Sequence, residues 1–489
     1  MLIGGGIATI HHQDRIKPSI MLFNSFSFFI FLLVVLIASA ILRRYAKGAE
    51  LWFLVLASAY FYGQWNWTYL ILIYITITCD YLLGLKYYRS DQPQRFLYLS
   101  MTVNLGILGI YKYLNFLINS ANEVISTAGF TYGIPGVDLL LPVGISFYTF
   151  QSMSYMIDIH RGQLQPRKKF VDYALFVSFF PQLVAGPIVR ASEFFKQLDE
   201  KRHFSFAMAQ SGMFLIVLGL VKKVVFADNL ALFVDPIFDQ PENHSGLMNL
   251  LAVYAFAFQI YFDFSGYSDI AIGVAKLLGF TFPRNFMHPY VSLTFQDFWR
   301  RWHMTLSRWL RDYLYISLGG NRHGSYKTMR NLFLTMFLGG LWHGASWNFA
   351  IWGVLHGVYL AIERFNAKYQ LLVLNHRLLI NRLLKWLLVF HLVCFAWIFF
   401  RAADLSQSLM MIENILFMKG GFTVAQGQYV NVAIILLFPL IHYLSSKLDL
   451  FGRSGDLSTT PYTFWVTTLM LLLIFFSSQS SDSFMYFQF

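Results

Sequence analysis

The sequence predicts an all-α protein that crosses a membrane many times. Of its 489 residues, 57% are hydrophobic and only 13% are charged, whereas a soluble domain averages roughly 25% charged residues. The apolar residues form runs that approach the length of a membrane-spanning helix, which is about 20 residues. Several runs contain proline or glycine at membrane depth, a pattern typical of re-entrant pieces. We therefore predict about 11 to 13 spanning helices together with re-entrant and amphipathic helices.

The apolar runs divide the chain into a leader, a membrane domain and a tail. Residues 1–20 contain no run of spanning quality, and we expect a disordered leader or a mis-assigned start there. Residues 21–478 form the predicted membrane domain, and residues 479–489 form a short C-terminal tail. Some of the candidate spans are short or interrupted; they are 23–42, 50–63, 66–86, 96–117, 140–158, 171–188, 209–233, 247–263, 329–345, 347–363, 380–400, 429–446 and 461–478.

The positive charges alternate between the predicted loops. Basic residues follow the first, third and fifth runs, whereas the loop at 235–245 is acidic. By the positive-inside rule the basic loops are cytoplasmic, and so is the basic block from Arg300 to Arg330. The net charge of +12 is therefore better explained by basic loops that are retained in the cytoplasm than by nucleic-acid binding. We predict membrane lipid, and no nucleic acid, as a partner.

Two apolar runs are broken in a way that lipid cannot accommodate. Pro142 and Gly144 interrupt one run, and the stretch 180–187 holds two prolines and a glycine. Backbone groups freed at membrane depth must be satisfied by protein or by a water-filled cavity. The pattern thus predicts a packed funnel or tunnel rather than a simple helix bundle.

The sharpest candidate for chemistry is His343, which lies in an apolar helix between Gly339-Gly340 and Gly344. A neutral imidazole suits general-base catalysis because its ordinary pKa lies near neutral pH. A core histidine that hydrogen-bonds a helix carbonyl is an equally good interpretation of the isolated residue. The neighbouring Trp342, Trp347 and Asn348 favour a functional role.

A second histidine, His303, lies in a basic segment. An apolar face at helical spacing runs through Trp299, Trp302, Leu306, Trp309, Leu310 and Tyr313. This pattern is typical of an amphipathic helix at the cytoplasmic interface. Arginines on the opposite side, namely Arg300, Arg301, Arg308 and Arg311, could also receive the phosphates of a nucleotide or of a phosphopantetheine carrier.

Other polar residues in apolar runs are interpreted more simply. Asp263 and Asp269 could pair with Arg190, Arg300 or His303, or could stabilise an imidazolium, and a structural ion pair is the favoured role for each of them. His356 and His391 are assigned as core residues, and so are the two cysteines, Cys79 and Cys394. No group of side chains has metal-ligand spacing, and neither a P-loop nor a Gly-x-Ser-x-Gly motif is present, so we predict no metal site and no serine triad.

The C-terminal tail ends in four aromatic residues, although chain ends are usually frayed and polar. One interpretation is an aromatic anchor at the membrane interface. The alternative is that the tail packs back into the outer mouth of the protein and presents the phenol of Tyr486.

Five motifs together resemble the membrane-bound O-acyltransferase (MBOAT) family, and the resemblance covers nearly all of the chain from Met21 onward. The similarity is greatest to a bacterial branch that acetylates alginate, peptidoglycan and cellulose, while the D-alanyl transferases of teichoic acid are more distant. The resemblance implies a ring of helices around a thin central tunnel in the bacterial inner membrane, with a cytoplasmic donor entrance and an outer acceptor opening. The motifs are 141–147, 180–188, 261–269, 302–307 and 342–348.

The resemblance also implies residue roles and partners. His343 is the expected catalytic residue and His303 its partner, and Tyr486 is a candidate acyl relay. The predicted donor site comprises Arg300, Arg301, Arg308, Trp302, Trp342 and Asn348. We expect acetyl-CoA or another acyl thioester as donor substrate, no bound cofactor, a polysaccharide acceptor, and a periplasmic or membrane-anchored partner resembling an acetyltransferase or esterase. The alternatives are a transporter or flippase of an acyl carrier or lipid-linked sugar, a synthase scaffold, and a D-alanyl transferase.

Overall fold

The computed structural model describes residues 21–46, 48–200, 202, 204–370, 378–424, 427–448 and 459–476. These residues contain helices and loops but no β-strand, so the predicted all-α polytopic fold is confirmed. The predicted leader, 1–20, and the tail, 479–489 with Tyr486, lie outside the described residues, so the proposed division into three regions stays a prediction.

Within the described ranges the chain forms twenty α-helices, some of which are joined by π-helical turns. They are α1 (Phe26–Tyr45), α2 (Ala49–Gly63), α3 (Trp67–Tyr87), α4 (Gln94–Leu108), α5 (Leu114–Thr127), α6 (Ile145–His160), α7 (Phe170–Ser178), α8 (Phe180–Leu183), α9 (Ala191–Asp199), α10 (Phe206–Leu220), α11 (Asp228–Asp239), α12 (Gly246–Leu277), α13 (Phe295–Arg301), α14 (Met304–Trp309), α15 (Gly324–His343), α16 (Trp347–Tyr369), α17 (Leu379–Arg401), α18 (Leu405–Leu416), α19 (Tyr429–Leu448) and α20 (Thr459–Phe476).

Five helical segments of the described chain are individually long and apolar enough to cross a membrane. They are α1, α3, the continuous α4–α5 segment, α12 and α17. Helices α2, α19 and α20 contain shorter apolar segments, and other predicted spans are broken or less apolar. The predicted number of about 11 to 13 spans therefore stays a prediction.

The longest helix, α12, lies at the centre of the fold and is 78% buried over its most apolar window. Helix α10 packs against it through paired glycines. A Cβ atom on Gly219 would lie 2.5 Å from the carbonyl oxygen of Gly266, and one on Gly273 would lie 2.5 Å from that of Gly212. Such close backbone approach is how helices gain packing energy inside a membrane, where the lipid is as apolar as the side chains.

The broken segments at 142–144 and 179–190 are buried in protein, as their composition predicts. Gly144 adopts a left-handed conformation, with φ of 76°, at the start of α6. The backbone groups near both breaks are bonded by other helices. Tyr62 donates to the carbonyl of Val143 at 2.9 Å, and Ser58 Oγ accepts from the amide of Phe180 at 3.1 Å.

Several loops that are predicted to be cytoplasmic meet at one face. Arg43 and Arg202 each donate to buried Glu50, at 2.7 Å, and Arg43 also donates to the carbonyl of Leu278 beyond α12. On the same face Arg167 pairs with Asp199 at 2.6 Å, and this hydrogen bond lowers the pKa of the Asp199 carboxyl. The first loop, the segment before α10 and the end of α12 are thus tied together.

The intramembrane acids form ion pairs, but their predicted partners were wrong. Lys222 pairs with Asp269 at 2.5 Å, and Lys223 pairs with Asp263 at 2.8 Å. Both lysines lie on a π-helical turn, Val221–Ala227, between α10 and α11. The packing of α10 and the following π-helical turn against α12 brings these lysines beside the two acids.

Candidate active site

Helices α15 and α16 form a tight hairpin that holds His343 at its turn. A Cβ on Gly340 would lie 2.4 Å from the carbonyl oxygen of Phe349, and one on Gly353 would lie 2.6 Å from that of Met336. At Gly340 the backbone of α16 fills the space that a side chain would occupy. His343 is the last residue of α15.

The imidazole of His343 is 7% exposed and is surrounded by aromatic rings. Its ring centroid lies 5.0 Å from that of Trp342, 5.1 Å from that of Trp352 and 5.3 Å from that of Phe400. These contacts hold the imidazole in a mostly apolar cage. Such a cage disfavours the charged imidazolium and so keeps a general base in its neutral, proton-accepting form.

The carbonyl end of α15 is bound by a half-buried lysine, Lys112, which was not predicted from the sequence. Lys112 Nζ donates to the carbonyl oxygens of Trp342, at 2.6 Å, and of His343, at 2.9 Å. Tyr113 donates to that of Leu341 at 2.7 Å. A cation is favourable at a helix C-terminus because it complements the helix dipole and satisfies the last carbonyls. The available signal was a single lysine inside an apolar run, since intramembrane charges are usually functional.

The second histidine lies at a break that the sequence did not predict. The expected continuous helix through Trp299 and Tyr313 is wrong, because α13 ends at Arg301 and α14 begins at Met304. His303 sits between them in the left-handed region, with φ of 42°. The predicted apolar face is nevertheless buried along its whole length, so the segment inserts into the protein instead of lying on the interface.

A hydrogen-bond network fixes the orientation of His303, which is fully buried. Its Nδ1 lies 3.1 Å from Asn285 Oδ1, an oxygen that also accepts from the amide and the hydroxyl of Thr305. Because an amide oxygen only accepts, Nδ1 carries the proton, and Nε2 is the nitrogen with the lone pair. In this tautomer Nε2 can accept a proton, and it can donate a hydrogen bond only when the ring is protonated.

The two predicted catalytic histidines are brought together around one tryptophan. The ring of Trp342 lies 5.0 Å from that of His343 and 6.2 Å from that of His303, measured between centroids. Helix α6 covers this group from another side, because Phe147 lies 5.4 Å from Trp342. Residues about forty positions apart in the sequence thus share one buried site.

A cavity of about 570 Å³ is lined in part by residues of the basic block that is predicted to be cytoplasmic. Its wall includes the predicted donor residues Arg300 and Arg308, and also Arg311 and Arg364. Trp299 lines the inner wall of the cavity and contacts Trp352, with ring centroids 5.8 Å apart. Since Trp352 contacts His343, the cavity and the histidine are separated by a short run of aromatic side chains.

Three predicted donor residues lie elsewhere. Arg301 pairs with Asp297 at 2.9 Å and lines a different cavity. Trp302 packs against Trp397, with ring centroids 5.0 Å apart. Asn348 donates to the carbonyl of Ala402 at 3.0 Å and thereby ties the α15–α16 turn to the end of α17. The geometry gives these three residues packing and bracing contacts, and their predicted role in donor binding remains a prediction.

Comparisons with known proteins agree with the motifs. The sequence model of the membrane-bound O-acyltransferase family matches residues 163–401. The chain is 44% identical over 369 residues to the probable alginate O-acetylase AlgI of Pseudomonas aeruginosa, an alignment that covers 74% of this chain and 68% of that one. It is 38% identical to the peptidoglycan O-acetyltransferase of Helicobacter pylori, covering 83% and 81%. It is 30% identical to the teichoic acid D-alanyltransferase of Bacillus subtilis, covering 54% and 70%.

Proposed function

This chain belongs to the membrane-bound O-acyltransferase family, and we propose that it passes an acetyl group from a cytoplasmic thioester across the membrane to a hydroxyl group of a periplasmic or surface polysaccharide. It is an enzyme of the acyltransferase class. The higher identity to relatives named as O-acetylating enzymes favours acetyl over D-alanyl transfer. The acceptor is accordingly alginate-like, peptidoglycan or cellulose, and the chain resides in the bacterial inner membrane.

The observation that supports the proposal is that His343, at the turn of the α15–α16 hairpin, is separated from an arginine-lined cavity by Trp352 and Trp299. In the proposed reaction the hydroxyl oxygen attacks the thioester carbonyl carbon while His343 takes the hydroxyl proton. The tetrahedral intermediate then expels the thiolate and leaves the acetyl group as an oxygen ester. Neutral His343 is regenerated when its proton passes on to the thiolate.

His303 serves the same step by orienting the donor beside Trp342. Its Nδ1 donates a hydrogen bond to Asn285. In the neutral ring Nε2 is therefore available to the reaction only as an acceptor of a proton or of a hydrogen bond. A donor that docks in the cavity would place its phosphates against Arg300 and Arg308, with Arg311 and Arg364 as further cations. Acetyl-CoA and a phosphopantetheine-bound acetyl group share this anionic chemistry, and no bound cofactor is needed.

The first acceptor of the acetyl group is proposed to be the phenol of Tyr486. A partner that is periplasmic or membrane-anchored, and that resembles an acetyltransferase or esterase, would then complete transfer to the polysaccharide. A phenyl ester is a good acyl donor because its leaving group is a stabilised phenolate. The relay therefore stores the acetyl group in a reactive form at the outer mouth.

The experiment that tests this function uses purified protein in liposomes with radiolabelled acetyl-CoA. We expect transfer to fall by about 10²- to 10⁴-fold in His343→Ala, the usual contribution of a general base. The matched control is His391→Asn, because His391 is an exposed α17 residue that bonds the carbonyl of Leu387. Retained transfer in His343→Ala protein that inserts normally would overturn the assignment of the base.

The same assay tests the relay. If Tyr486 carries the acetyl group, wild-type protein becomes labelled and Tyr486→Phe does not. Label that persists in Tyr486→Phe but is lost in His343→Ala would retain the enzyme and reject the relay. Transport of the intact thioester into the liposomes without acyl transfer would instead support a transporter.

A further inference from the structure

One face of α16 carries polar groups from the histidine site to the arginine-lined cavity. Trp352, His356, Tyr359 and Glu363 follow one another at spacings of four, three and four residues, which places them on one side of a helix. The ring of His356 lies 4.7 Å from that of Trp352 and 5.7 Å from that of Tyr359, between centroids. The ring of Trp299, on α13, lies 5.1 Å from His356 and closes the cluster.

The cluster is buried, yet its polar atoms are not bonded to one another. His356 is fully buried, and among the described residues neither of its ring nitrogens has a hydrogen-bond partner. Among the same described residues, no hydrogen-bond partner is found for the indole nitrogens of Trp299 and Trp352 or for the hydroxyl of Tyr359. Leaving a buried polar group unpaired costs about 1–3 kcal/mol. Five such atoms on and around His356 therefore indicate a site where a polar group binds or passes.

The two ends of the cluster define what can reach it. At one end Trp352 contacts the ring of His343, with centroids 5.1 Å apart. At the other end Trp299 and Glu363 line the cavity that contains Arg300 and Arg308. Glu363 is held there by the backbone amides at the start of α13, accepting from Phe295 at 2.6 Å. His356 therefore lies beside the path between the proposed reaction centre and the cytoplasmic opening.

We propose that His356 protonates the departing thiolate as it withdraws toward the cytoplasmic cavity. This inference rests on the proposed thioester transfer. The carbon–sulfur bond breaks with its electron pair on sulfur, and His356 gives that sulfur a proton to form the neutral thiol. The proton that His356 gives is the one that His343 removed from the attacking hydroxyl, and it reaches His356 before the sulfur departs, so both histidines begin and end neutral.

The chemistry of the leaving group explains why a second proton-handling residue is useful. The thiol of a cysteine side chain has a pKa of about 8.5, and an unpaired anion in an apolar interior is strongly disfavoured. A thiolate that leaves through an aromatic passage is thus stabilised by protonation before it reaches water. His303 is less suited, because its Nδ1 is bound to Asn285 and its ring contacts Trp342, whereas His356 contacts Trp299, which lines the cavity.

The test compares two donors in His356→Asn, which keeps a polar side chain but cannot carry a proton. One donor is acetyl-CoA, and the other is the acetyl thioester of an acidic aryl thiol, whose thiolate leaves without needing a proton. We expect about a 100-fold loss of transfer with acetyl-CoA and nearly none with the aryl thioester. His391→Asn is the matched control and is expected to use both donors like wild type. The melting temperature of each variant reports folding, and His356→Gln replaces His356→Asn if the latter does not insert.

Two results would overturn the inference while leaving the proposed function intact. An equal loss with both donors would mean that His356 only maintains packing, and an unchanged rate with acetyl-CoA would mean that it takes no part. His343→Ala separates the two claims, because the general base is needed with either donor. If wild-type protein transferred acetyl from neither thioester, the proposed function and the inference would both fail.

Discussion

Lys112 braces the end of the helix that carries the proposed catalytic histidine. Its ammonium bonds the last two carbonyls of α15, and the imidazole of His343 projects from the second of these residues. A displacement of about 1 Å at a reacting group can cost roughly 100-fold in rate. The lysine is thus a positioning residue whose effect on the reaction is carried by the backbone.

We predict that Lys112→Met inserts into the membrane but loses about 10- to 100-fold of acetyl transfer, because the end of α15 relaxes. Lys112→Arg, which keeps the cation, should recover part of the loss. The control is Lys276→Met, since Lys276 bonds Ser211 on α10 at 2.6 Å, away from α15. It should lower the melting temperature without changing turnover per folded molecule. Equal losses of turnover in the Lys112 and Lys276 variants would contradict the positioning role.

At this scale the sequence could predict which residues are special but only partly what they contact. His343 and His303 stand out because imidazoles are rare in apolar or tryptophan-rich segments. The function of Lys112 depends on a helix more than 200 residues away. Asp263 and Asp269 were given the wrong partners because the cation that lies beside each of them depends on how α10 and the following turn pack against α12.

The α15–α16 hairpin is the element that positions His343 in the candidate site. Its helices approach so closely that backbone atoms replace side chains at Gly340 and Gly353. The hairpin turn was predictable, because Gly344 and Ser346 separate two apolar runs. The break between α13 and α14 was not, because the helical spacing of apolar residues continues through His303 even though its backbone turns left-handed.

We predict that Gly340→Ala lowers the melting temperature and acetyl transfer together. The added methyl group would lie 2.4 Å from a backbone oxygen, and overpacking of a buried contact typically costs about 1–3 kcal/mol. Gly106→Ala is the control, because nothing lies within 4 Å of a Cβ there, and alanine is the better helix former by about 0.5–1 kcal/mol. Unchanged activity in Gly340→Ala would contradict this prediction, because it would show that the site tolerates a wider separation of α15 from α16.

At the scale of the whole molecule, the cavity near Arg308 and Arg364 places positive charge on the face that is predicted to be cytoplasmic. The positive-inside pattern predicted this polarity from loop charges alone, and the broken helices predicted a packed interior. The cavity itself could not be predicted, because its walls come from the α13–α14 segment, α15 and α16, whose relative positions depend on tertiary packing. Charge patterning gives the side of the membrane, whereas packing decides which arginines share a cavity.

We predict that replacing Arg308 and Arg364 together with glutamine raises the KM for acetyl-CoA at least tenfold while kcat changes little, since each charge-assisted hydrogen bond contributes about 1.5–3 kcal/mol. The effect should shrink at high salt because ionic screening weakens the wild-type attraction. Arg382→Gln, on the wall of the other cavity, is the control. A fall in kcat with an unchanged KM would place these arginines outside donor binding.

The length of α12 has a consequence for how the protein meets its bilayer. At 1.5 Å per residue its 32 residues extend about 48 Å, whereas the hydrocarbon layer is about 30 Å thick. A lipid-facing helix would respond to this mismatch by tilting according to membrane thickness. Because α12 is enclosed by its neighbours, its tilt is set by protein packing. Thicker or thinner bilayers should therefore strain peripheral helices such as α1, and the reaction centre should keep its geometry.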